Sequence, residues 1–280
     1  MAAKSDSLRP APSQKVLITG ARGKFARIVI AELASTHPLV FTDILDSEGM
    51  EGDYRRADLT NFSETLAAVQ GVDTIVHLAI APPPNPTPPQ VPGEVSDYAQ
   101  RLVRENPQTT LHVLEAARQA GVRRVVYASS LTVHLGERYK LHYSEEDLPA
   151  PNSLYACTKL FGEHLGEVYA RTDGLEFLSL RFGQPFPIGH MHDGTWQKSR
   201  RARSTYVAIE DVARAVRCAV ETPVTSGSYI IVSASDNPRF DLSAARAIGY
   251  RPTGYFSEHG LTFHPDGKTP TPDQPVSVED

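Results

Sequence analysis

Tyr155 and Lys159 lie four positions apart in a stretch that reads as a helix, so their side chains project from the same helical face. A lysine ammonium beside a phenol favours the phenolate and lowers the tyrosine pKa, which is ordinarily about 10. The tyrosine then becomes a usable general base. Ser130 ends an apolar run that reads as a strand, where its hydroxyl could hold a substrate oxygen near Tyr155. The three residues together predict removal of a proton from a substrate hydroxyl group.

A second candidate site lies in residues 15–34, where an apolar β-prone run ends at Gly20 and gives way to helical spacing. Gly20 would permit a tight turn, Gly23 would let the backbone approach a pyrophosphate, and Ala26 would allow close packing of helix on strand. The helix after the turn would offer unpaired N–H groups to the anion. The pattern predicts a dinucleotide-binding turn.

Asp43 ends the next predicted strand and lies 20 residues beyond Gly23. A carboxylate there can accept hydrogen bonds from an adenosine ribose and would repel a 2′-phosphate, although a turn or capping role is the structural alternative. Arg22, inside the glycine turn, is a counter-signal because a guanidinium could bind such a phosphate. We weigh the carboxylate more heavily, so the sequence favours NAD over NADP.

Alternating strands and helices would position these residues. Apolar runs predict strands at residues 16–18, 39–43, 72–80, 123–130, 175–181 and 229–232, and residues 56–60 read as a short third strand and turn. After the helix of the glycine turn, helical spacing predicts helices at residues 62–69, 98–120, 153–171 and 206–221. The helix at 98–120 should be interrupted near Pro107, and His77 is interpreted as a core histidine. The alternation predicts an α/β fold, a Rossmann-type doubly wound parallel sheet with its ligand crevice at the carboxyl ends of the strands.

Two segments interrupt this pattern. Residues 81–93 contain seven prolines, so they form a loop that either covers the active site or acts as a stiff surface spacer. Residues 182–203 read as irregular; His190, His192 and Asp193 in this segment are interpreted as polar loop residues, and no metal is predicted. The same segment ends in a cationic run that forms either a solvated surface or a site for an anionic group: Lys198, Arg200, Arg201 and Arg203.

The totals set limits on the class of protein. A chain of 280 residues is long enough for one large α/β domain. A net charge of −5 gives no electrostatic footprint for nucleic acid or an anionic membrane, and no apolar run is long enough to span a bilayer. Two cysteines make no disulfide framework and the N-terminal residues show no signal-peptide core, so we expect a cytoplasmic protein.

The predicted single domain covers residues 15–263, with substrate elements at residues 182–206 and 233–263. The second of these elements makes a small C-terminal substrate-binding part. Residues 1–14 and 264–280 are rich in Ser, Pro, Asp and Lys, which predicts flexible tails.

These motifs together resemble the extended short-chain dehydrogenase/reductase family, also called the NAD-dependent epimerase/dehydratase family. The matching stretches are TGARGKFA (19–26), Asp43, ADL (57–59), HLA (77–79), ASS (128–130), YACTK (155–159) and YVAIEDVARAV (206–216). The resemblance implies Ser130, Tyr155 and Lys159 as the catalytic group, with Lys159 also binding the nicotinamide ribose. It also implies a set of NAD-binding residues: Gly20, Arg22, Gly23, Lys24, Phe25, Asp43, Asp58, Leu59, Leu78, Ala79, Ile80, Tyr155 and Lys159. Of these, Asp58 and Leu59 would lie near the adenine.

Within the family the chain is most similar to uronate dehydrogenases and their sugar-oxidising relatives. The similar stretches are RFG (181–183), SASDN (233–237) and LSAARAIGYRP (242–252). Those relatives carry Asn-His after the catalytic serine and a serine after the RFG-like motif, where this chain has Leu131, Thr132 and Gln184. The substrate-side residues that the resemblance implies are Pro82, Ser130, Leu131, Gln184 and Arg201.

The leading hypothesis is an NAD-dependent dehydrogenase that oxidises a hydroxyl or lactol of a small sugar, uronate or related polyol. An NAD-dependent sugar epimerase is the alternative enzyme, which accumulation of NADH would distinguish. A non-catalytic NAD-binding regulator is the third hypothesis, and the presence of Ser130, Tyr155 and Lys159 argues against it.

The resemblance also implies a homodimer. Its interface would consist of the helices predicted at residues 98–120 and 153–171, through exposed apolar side chains such as Leu102, Leu111 and Leu160.

Overall fold

A parallel sheet forms the centre of the protein in the computed structural model, which describes residues 13–84, 96–137, 140–186, 200–266 and 268. The first nine strands are β1 (Val16–Thr19), β2 (Leu39–Asp43), β3 (Asp53–Arg56), β4 (Thr74–His77), β5 (Arg124–Ser130), β6 (Glu176–Phe182), β7 (Gln184–Phe186), β8 (Tyr206–Ala208) and β9 (Ser226–Ile231). Seven of them form the central sheet in the order β3-β2-β1-β4-β5-β6-β9, and β7 pairs with β8. This order is that of a doubly wound fold, so the predicted fold class is confirmed.

Helices cover both faces of the central sheet. They are α1 (Lys24–Leu33), α2 (Phe62–Ala68), α3 (Asp97–Ala120), α4 (Leu154–Asp173), α5 (Arg200–Arg203), α6 (Ile209–Glu221) and α7 (Ser243–Ala247), with a 3-10 helix at Leu131–Val133. Helices α1 and α6 contact each other on one face, and α2, α3 and α4 pack side by side on the other. Among the described residues, no helix combines the length and the apolar composition needed to cross a membrane.

The core lies in two layers because both faces of the parallel sheet are covered. All residues of β1 and β4 are buried, which explains why the polar residues of these strands, Thr19, Thr74 and His77, lie only at the strand ends. One layer packs Val29 and Leu33 of α1 and Val216 of α6 against the sheet, and the other packs Val113 of α3 with Phe177 of β6. The carboxyl ends of the strands therefore have fixed positions relative to the helices that follow them.

The small C-terminal part adds a second sheet of β10 (Ala234–Ser235), β11 (Gly254–Ser257) and β12 (Gly260–Phe263). The carboxylate of Asp211, fully buried in α6, accepts hydrogen bonds from the Ser233 hydroxyl at 2.5 Å, the Thr253 N–H at 2.8 Å and the Gly254 N–H at 3.0 Å. This one carboxylate joins the C-terminal part to a helix of the main domain.

Two predicted elements differ in detail from the structure. The third strand lies at Asp53–Arg56, so it begins earlier than predicted, and the predicted turn follows it, where the Asp58 carboxylate accepts hydrogen bonds from the N–H and hydroxyl of Thr60. Helix α3 continues through Pro107 without interruption. Proline there leaves the Val103 carbonyl without its usual partner, and Val103 lies on the exposed side of the helix, 55 % exposed.

The apolar positions predicted on the outer faces of α3 and α4 are only partly exposed. Leu102 is fully buried beside Ala81 and Tyr98, which corrects its predicted exposure, whereas Leu111 is 41 % exposed and Leu160 is half-buried. The predicted irregular segment at 182–203 contains β7 and α5, and its residues 187–199 lie outside the described part of the chain.

Candidate active site

The glycine turn joins β1 to α1 and lies against the end of β4. Gly20 has a φ of +66°, and a Cβ atom there would lie 2.9 Å from the Cα atom of Ala79. Gly23 is the N-cap residue directly before α1, and its N–H donates to the Gly20 carbonyl at 2.9 Å. No side chain caps the N-terminus of α1 and no acidic residue lies in its first turn, so its free N–H groups can receive an anion. These features fit the pyrophosphate of a dinucleotide.

Asp43 is held beside this turn by backbone contacts. One carboxylate oxygen accepts the Arg22 N–H at 3.0 Å and the other accepts the Leu45 N–H at 3.1 Å. The Arg22 guanidinium donates to the Glu48 carbonyl in the segment after β2. Each carboxylate oxygen of Asp43 keeps a lone pair for a further donor, which is what binding to ribose hydroxyls requires.

The remaining residues predicted to bind the cofactor surround the turn. The N–H groups of Leu78 and Ala79 donate to the Thr19 hydroxyl oxygen at 3.1 and 3.2 Å, and this contact holds the end of β4 against β1. Ile80 is 39 % exposed at that edge. Of the others, Lys24 and Phe25 are exposed at the start of α1, Asp58 is half-buried, and Leu59 is buried.

His77 is a buried core histidine, as the sequence indicated. Its Nδ1 atom lies 2.8 Å from the Thr19 hydroxyl, and burial together with the charge of Lys159 lowers the pKa of His77 to about 3. The imidazole is therefore neutral at physiological pH.

The predicted catalytic residues lie on α4 and at the end of β5. Ser130 is the last residue of β5, and α4 packs against the 3-10 helix that follows it. Tyr155 and Lys159 come from the first two turns of α4, with the Lys159 Nζ atom 5.7 Å from the centroid of the Tyr155 ring. Ser153 caps this helix by accepting the Ala156 N–H.

Burial dominates the ionisation of this pair. Lys159 is only 3 % exposed, and burial lowers the pKa of Lys159 to about 7, although the charge of Glu163 opposes the shift. Tyr155 keeps part of its surface exposed but packs against Ala81 and Tyr98, and burial raises the pKa of its phenol, with a smaller contribution from Tyr98. The lowered tyrosine pKa expected from the sequence is therefore not produced by Lys159, which is itself only partly charged near neutral pH.

Two glycines bring α4 close to the sheet. A Cβ atom at Gly162 would lie 2.3 Å from the Tyr127 hydroxyl oxygen, and one at Gly166 would lie 2.2 Å from the Phe177 ring. The Lys159 Nζ atom lies 4.9 Å from the centroid of the same Tyr127 ring. The sequence analysis missed these glycines, although they lie three and seven residues after Lys159 and therefore on the same helical face.

Asn106 of α3 is a second residue that the sequence analysis missed. Its side-chain carbonyl accepts the Ala81 N–H at 2.8 Å, and its amide donates to the Thr158 hydroxyl at 3.1 Å. The Thr158 hydroxyl in turn donates to the Tyr155 carbonyl at 2.8 Å. One buried side chain thus fixes α4 relative to the residues that follow β4. The available signal in the sequence was an asparagine directly before a proline within a predicted helix.

A buried ion pair lies behind Lys159. The Arg181 guanidinium donates to the Glu163 carboxylate at 2.7 Å and to Nε2 of His134 at 2.7 Å, and the Ser179 hydroxyl donates to the same carboxylate at 2.9 Å. Burial and the charge of Arg181 lower the pKa of His134 to about 4, so the imidazole is neutral. Lys159, Arg181 and Glu163 leave an excess of one positive charge when Lys159 is protonated.

The predicted substrate-side residues have different environments. Pro82 and Gln184 are exposed, and Ser130 is 9 % exposed. Leu131 is 2 % exposed and packs in the main core, so its side chain is directed away from the surface on which a substrate would bind. Arg201 belongs to α5, and its side chain lies outside the described part.

The cationic run at residues 198–203 also contains Arg203, whose side chain the structure describes. Arg203 is buried and forms an ion pair with Asp236 at 2.7 Å, so it belongs to neither a solvated surface nor a free anion site. Among the described residues, no group of three or more metal-binding side chains occurs. Outside the described residues lie Lys198, His190, His192, Asp193 and residues 85–93 of the proline-rich segment.

Comparisons with known proteins agree with this geometry. A family model described as "NAD dependent epimerase/dehydratase family" matches residues 16–233. The L-arabinose 1-dehydrogenase (NAD(P)(+)) of Haloferax volcanii is 30 % identical over 259 residues, which are 85 % of this chain and 96 % of that protein. A uronate dehydrogenase of Pseudomonas syringae is 28 % identical, over 86 % of this chain and 82 % of its own.

A solved structure shows the same fold. The uronate dehydrogenase from Agrobacterium tumefaciens superimposes with a TM-score of 0.73 and 25 % identity, over 93 % of this chain and 91 % of that one. The matched segment of the family model contains the glycine turn, Ser130, Tyr155 and Lys159. The predictions of the family and of NAD as the cofactor are confirmed. The chain belongs to the NAD-dependent epimerase/dehydratase family.

Proposed function

We propose that this protein is an NAD-dependent dehydrogenase that oxidises a hydroxyl or lactol group of a small sugar, a uronate or a related polyol, with Ser130, Tyr155 and Lys159 as its catalytic group. The observation that carries the proposal is the placement of Tyr155 and Lys159 on one face of α4, with Lys159 buried and 5.7 Å from the tyrosine ring. Relatives named as dehydrogenases of L-arabinose and of uronates support oxidation of a sugar.

Each catalytic side chain has a separate task. The Tyr155 phenolate accepts the proton of the substrate hydroxyl, and Ser130 donates a hydrogen bond to the same oxygen while negative charge develops on it. Lys159 stabilises the phenolate. Bound NAD supplies the hydride acceptor and a positively charged ring. The glycine turn and the N-terminus of α1 hold its pyrophosphate, and Asp43 holds its adenosine ribose.

The buried charges favour this use of Tyr155. Protonated Lys159 adds one positive charge to the Arg181–Glu163 pair, and burial makes that charge unfavourable, as the pKa of about 7 for Lys159 records. A phenolate at Tyr155 would neutralise the excess. In the proposed reaction, a charged Lys159 and a phenolate at Tyr155 would stabilise each other by the attraction of opposite charges.

The proposal is tested by measuring NADH formation with uronates, neutral aldoses and sugar phosphates. We expect absorbance of NADH to rise with at least one sugar in the wild type, and turnover in Tyr155→Phe to fall by more than a hundredfold with NAD affinity nearly unchanged. Sugar conversion without accumulation of NADH would instead identify an epimerase. Tight NAD binding with no conversion of any sugar would identify a regulator. Activity of Tyr155→Phe within tenfold of the wild type would contradict the catalytic assignment.

Arg201 is the residue that we assign to an anionic substrate. Leu131 is buried and Gln184 is neutral, so among the predicted substrate-side residues only Arg201 carries a charge that could pair with a carboxylate or a phosphate. We expect Arg201→Ala to raise KM for a uronate by about ten- to hundredfold and to change KM for a neutral aldose much less. Equal effects on both sugars would show that Arg201 does not bind the anion.

The proposed enzyme is a homodimer that assembles through α3 and α4. These two adjacent helices share exposed apolar side chains on the outside of the protein: Val103, Leu111, Phe161 and Val168, each 41–55 % exposed. Burial of such a surface against a second copy would remove it from water.

We also place the protein in the cytoplasm. Cys157 and Cys218 are both free thiols, and Cys157 is exposed. An exposed free thiol persists in a reducing compartment. Fractionation of cells followed by detection of the protein tests this location.

A further inference from the structure

The hydroxyl oxygen of Ser130 accepts two hydrogen bonds from one residue. The Thr132 hydroxyl donates to it at 2.9 Å, and the Thr132 backbone N–H donates to it at 3.3 Å. A serine hydroxyl has two acceptor lone pairs and one proton. With both lone pairs engaged by Thr132, only the proton of Ser130 remains to contact another molecule.

Thr132 is firmly placed for this contact. Its neighbours Leu131 and Val133 are buried in the core at 2 % and 0 % exposure. Its carbonyl accepts the N–H of Asn152 at 3.3 Å, and the Val133 carbonyl accepts the N–H of Ala150 at 2.8 Å. The backbone of the 3-10 helix is therefore held between the core and residues 150–152, and the Thr132 hydroxyl reaches Ser130 from this fixed backbone.

Capping of the 3-10 helix does not require this hydroxyl. The backbone N–H of Thr132 already supplies the capping hydrogen bond to Ser130. The second bond, from the Thr132 hydroxyl, acts on Ser130 itself. A hydroxyl that accepts hydrogen bonds becomes a stronger donor, because such bonds polarise one another.

We propose that Thr132 is a positioning residue for Ser130 that commits its hydroxyl to donating towards the substrate oxygen. This inference rests on the proposed function, in which that oxygen gains negative charge as its proton leaves. A donor aimed at the oxygen stabilises the transition state more than the ground state. Thr132 thereby contributes to kcat without touching the substrate.

The test uses the full-length protein with the sugar that gives the fastest NADH formation. Thr132→Val keeps nearly the same shape and the backbone N–H but removes the hydroxyl, and Thr132→Ser keeps the hydroxyl. We expect Thr132→Val to lower kcat about tenfold with little change in KM and Tm, and Thr132→Ser to stay within about twofold of the wild type. Thr172→Val, which removes an exposed hydroxyl near the C-terminal end of α4, is the matched control and should not change kcat.

A double-mutant cycle with Ser130→Ala decides whether Thr132 acts through Ser130. We expect Thr132→Val to cause no further loss of kcat in the Ser130→Ala background. Three results would overturn the role of Thr132 and leave the proposed function standing. They are an equal tenfold loss of kcat in both backgrounds, wild-type kcat in Thr132→Val, and equal losses of kcat in Thr132→Val and Thr132→Ser. Wild-type activity in Ser130→Ala would instead show that the proposed catalytic group is wrong, and the role of Thr132 with it.

Discussion

Gly162 packs so closely against Tyr127 that a Cβ atom there would lie 2.3 Å from the tyrosine hydroxyl oxygen. The same tyrosine ring lies 4.9 Å from the Lys159 ammonium. The depth at which α4 sits on the sheet therefore determines where the ammonium lies. A glycine with no chemical role thus fixes the position of a side chain that we propose to be catalytic.

We expect Gly162→Ala to lower the free energy of unfolding by about 1–3 kcal/mol, because α4 or Tyr127 must move to admit the methyl group. The movement should also lower kcat, because it displaces Lys159. Urea unfolding and steady-state kinetics measure the two effects. Gly166→Ala is the matched control, since its methyl group would meet Phe177 two turns beyond Lys159. It should destabilise to a similar extent with a smaller loss of kcat. Unchanged stability in Gly162→Ala would contradict the packing argument.

Asp43→Ala should weaken the preference for NAD. The carboxylate lies beside the glycine turn, where it would repel a 2′-phosphate, so its removal should reduce the ratio of kcat/KM for NAD to that for NADP by at least about tenfold. Asp58→Ala is the control, because Asp58 is assigned to adenine and its loss should affect both cofactors equally. A wild-type enzyme that already prefers NADP would show that Arg22 outweighs Asp43.

Lys159→Met should make the protein more stable and inactive. Folding lowers the pKa of Lys159 from 10.5 to about 7, so between these values the unfolded chain binds the extra proton, and the stability of the wild type rises with pH. Removal of the buried charge should stabilise the protein by about 1–3 kcal/mol below pH 7, and this gain should shrink towards pH 10. Thermal unfolding at pH 6 and pH 10 measures the difference. A gain that is equal at both pH values would mean that improved packing, not the lost charge, is responsible.

Phe161→Glu should give a monomer. Phe161 is 44 % exposed on α4 within the proposed interface, and a buried carboxylate there would lack a partner. Light scattering at micromolar concentration should show a dimer for the wild type and a monomer for the variant. Leu148→Glu is the control, because Leu148 is 87 % exposed outside α3 and α4 and should leave the dimer intact. A monomeric wild type would rule out the proposed assembly.

The order of the central elements could be predicted because its signals are local. Val16, Leu17 and Ile18 place apolar side chains on both faces of β1, as a strand with helices on both sides requires. Gly20 marks the turn into the next helix. The strands of the C-terminal sheet have two to four residues each, which is too short for a periodic pattern. Their position depends on distant partners, such as the Asp211 carboxylate that binds Thr253 and Gly254.

The same distinction applies to the site. Ser130, Tyr155 and Lys159 were predicted from type, spacing and resemblance. Asn106 was not, because its partners Ala81 and Thr158 meet it only after folding. The raised pKa of Tyr155 and the lowered pKa of Lys159 could not be predicted from spacing, because both follow from the depth of burial.

The Asp211 carboxylate also limits how chimaeras of this protein and its relatives can be designed. It takes its hydrogen bonds from Ser233, Thr253 and Gly254, which lie 22, 42 and 43 residues beyond Asp211 and belong to the C-terminal part that is expected to shape sugar choice. A chimaera that imports this part from a relative must therefore bring three matching donors with it. A crossover point between Asp211 and Ser233 would take the carboxylate from one parent protein and its hydrogen-bond donors from the other. Sugar preference can therefore be exchanged only between parent proteins that share this carboxylate and its donors.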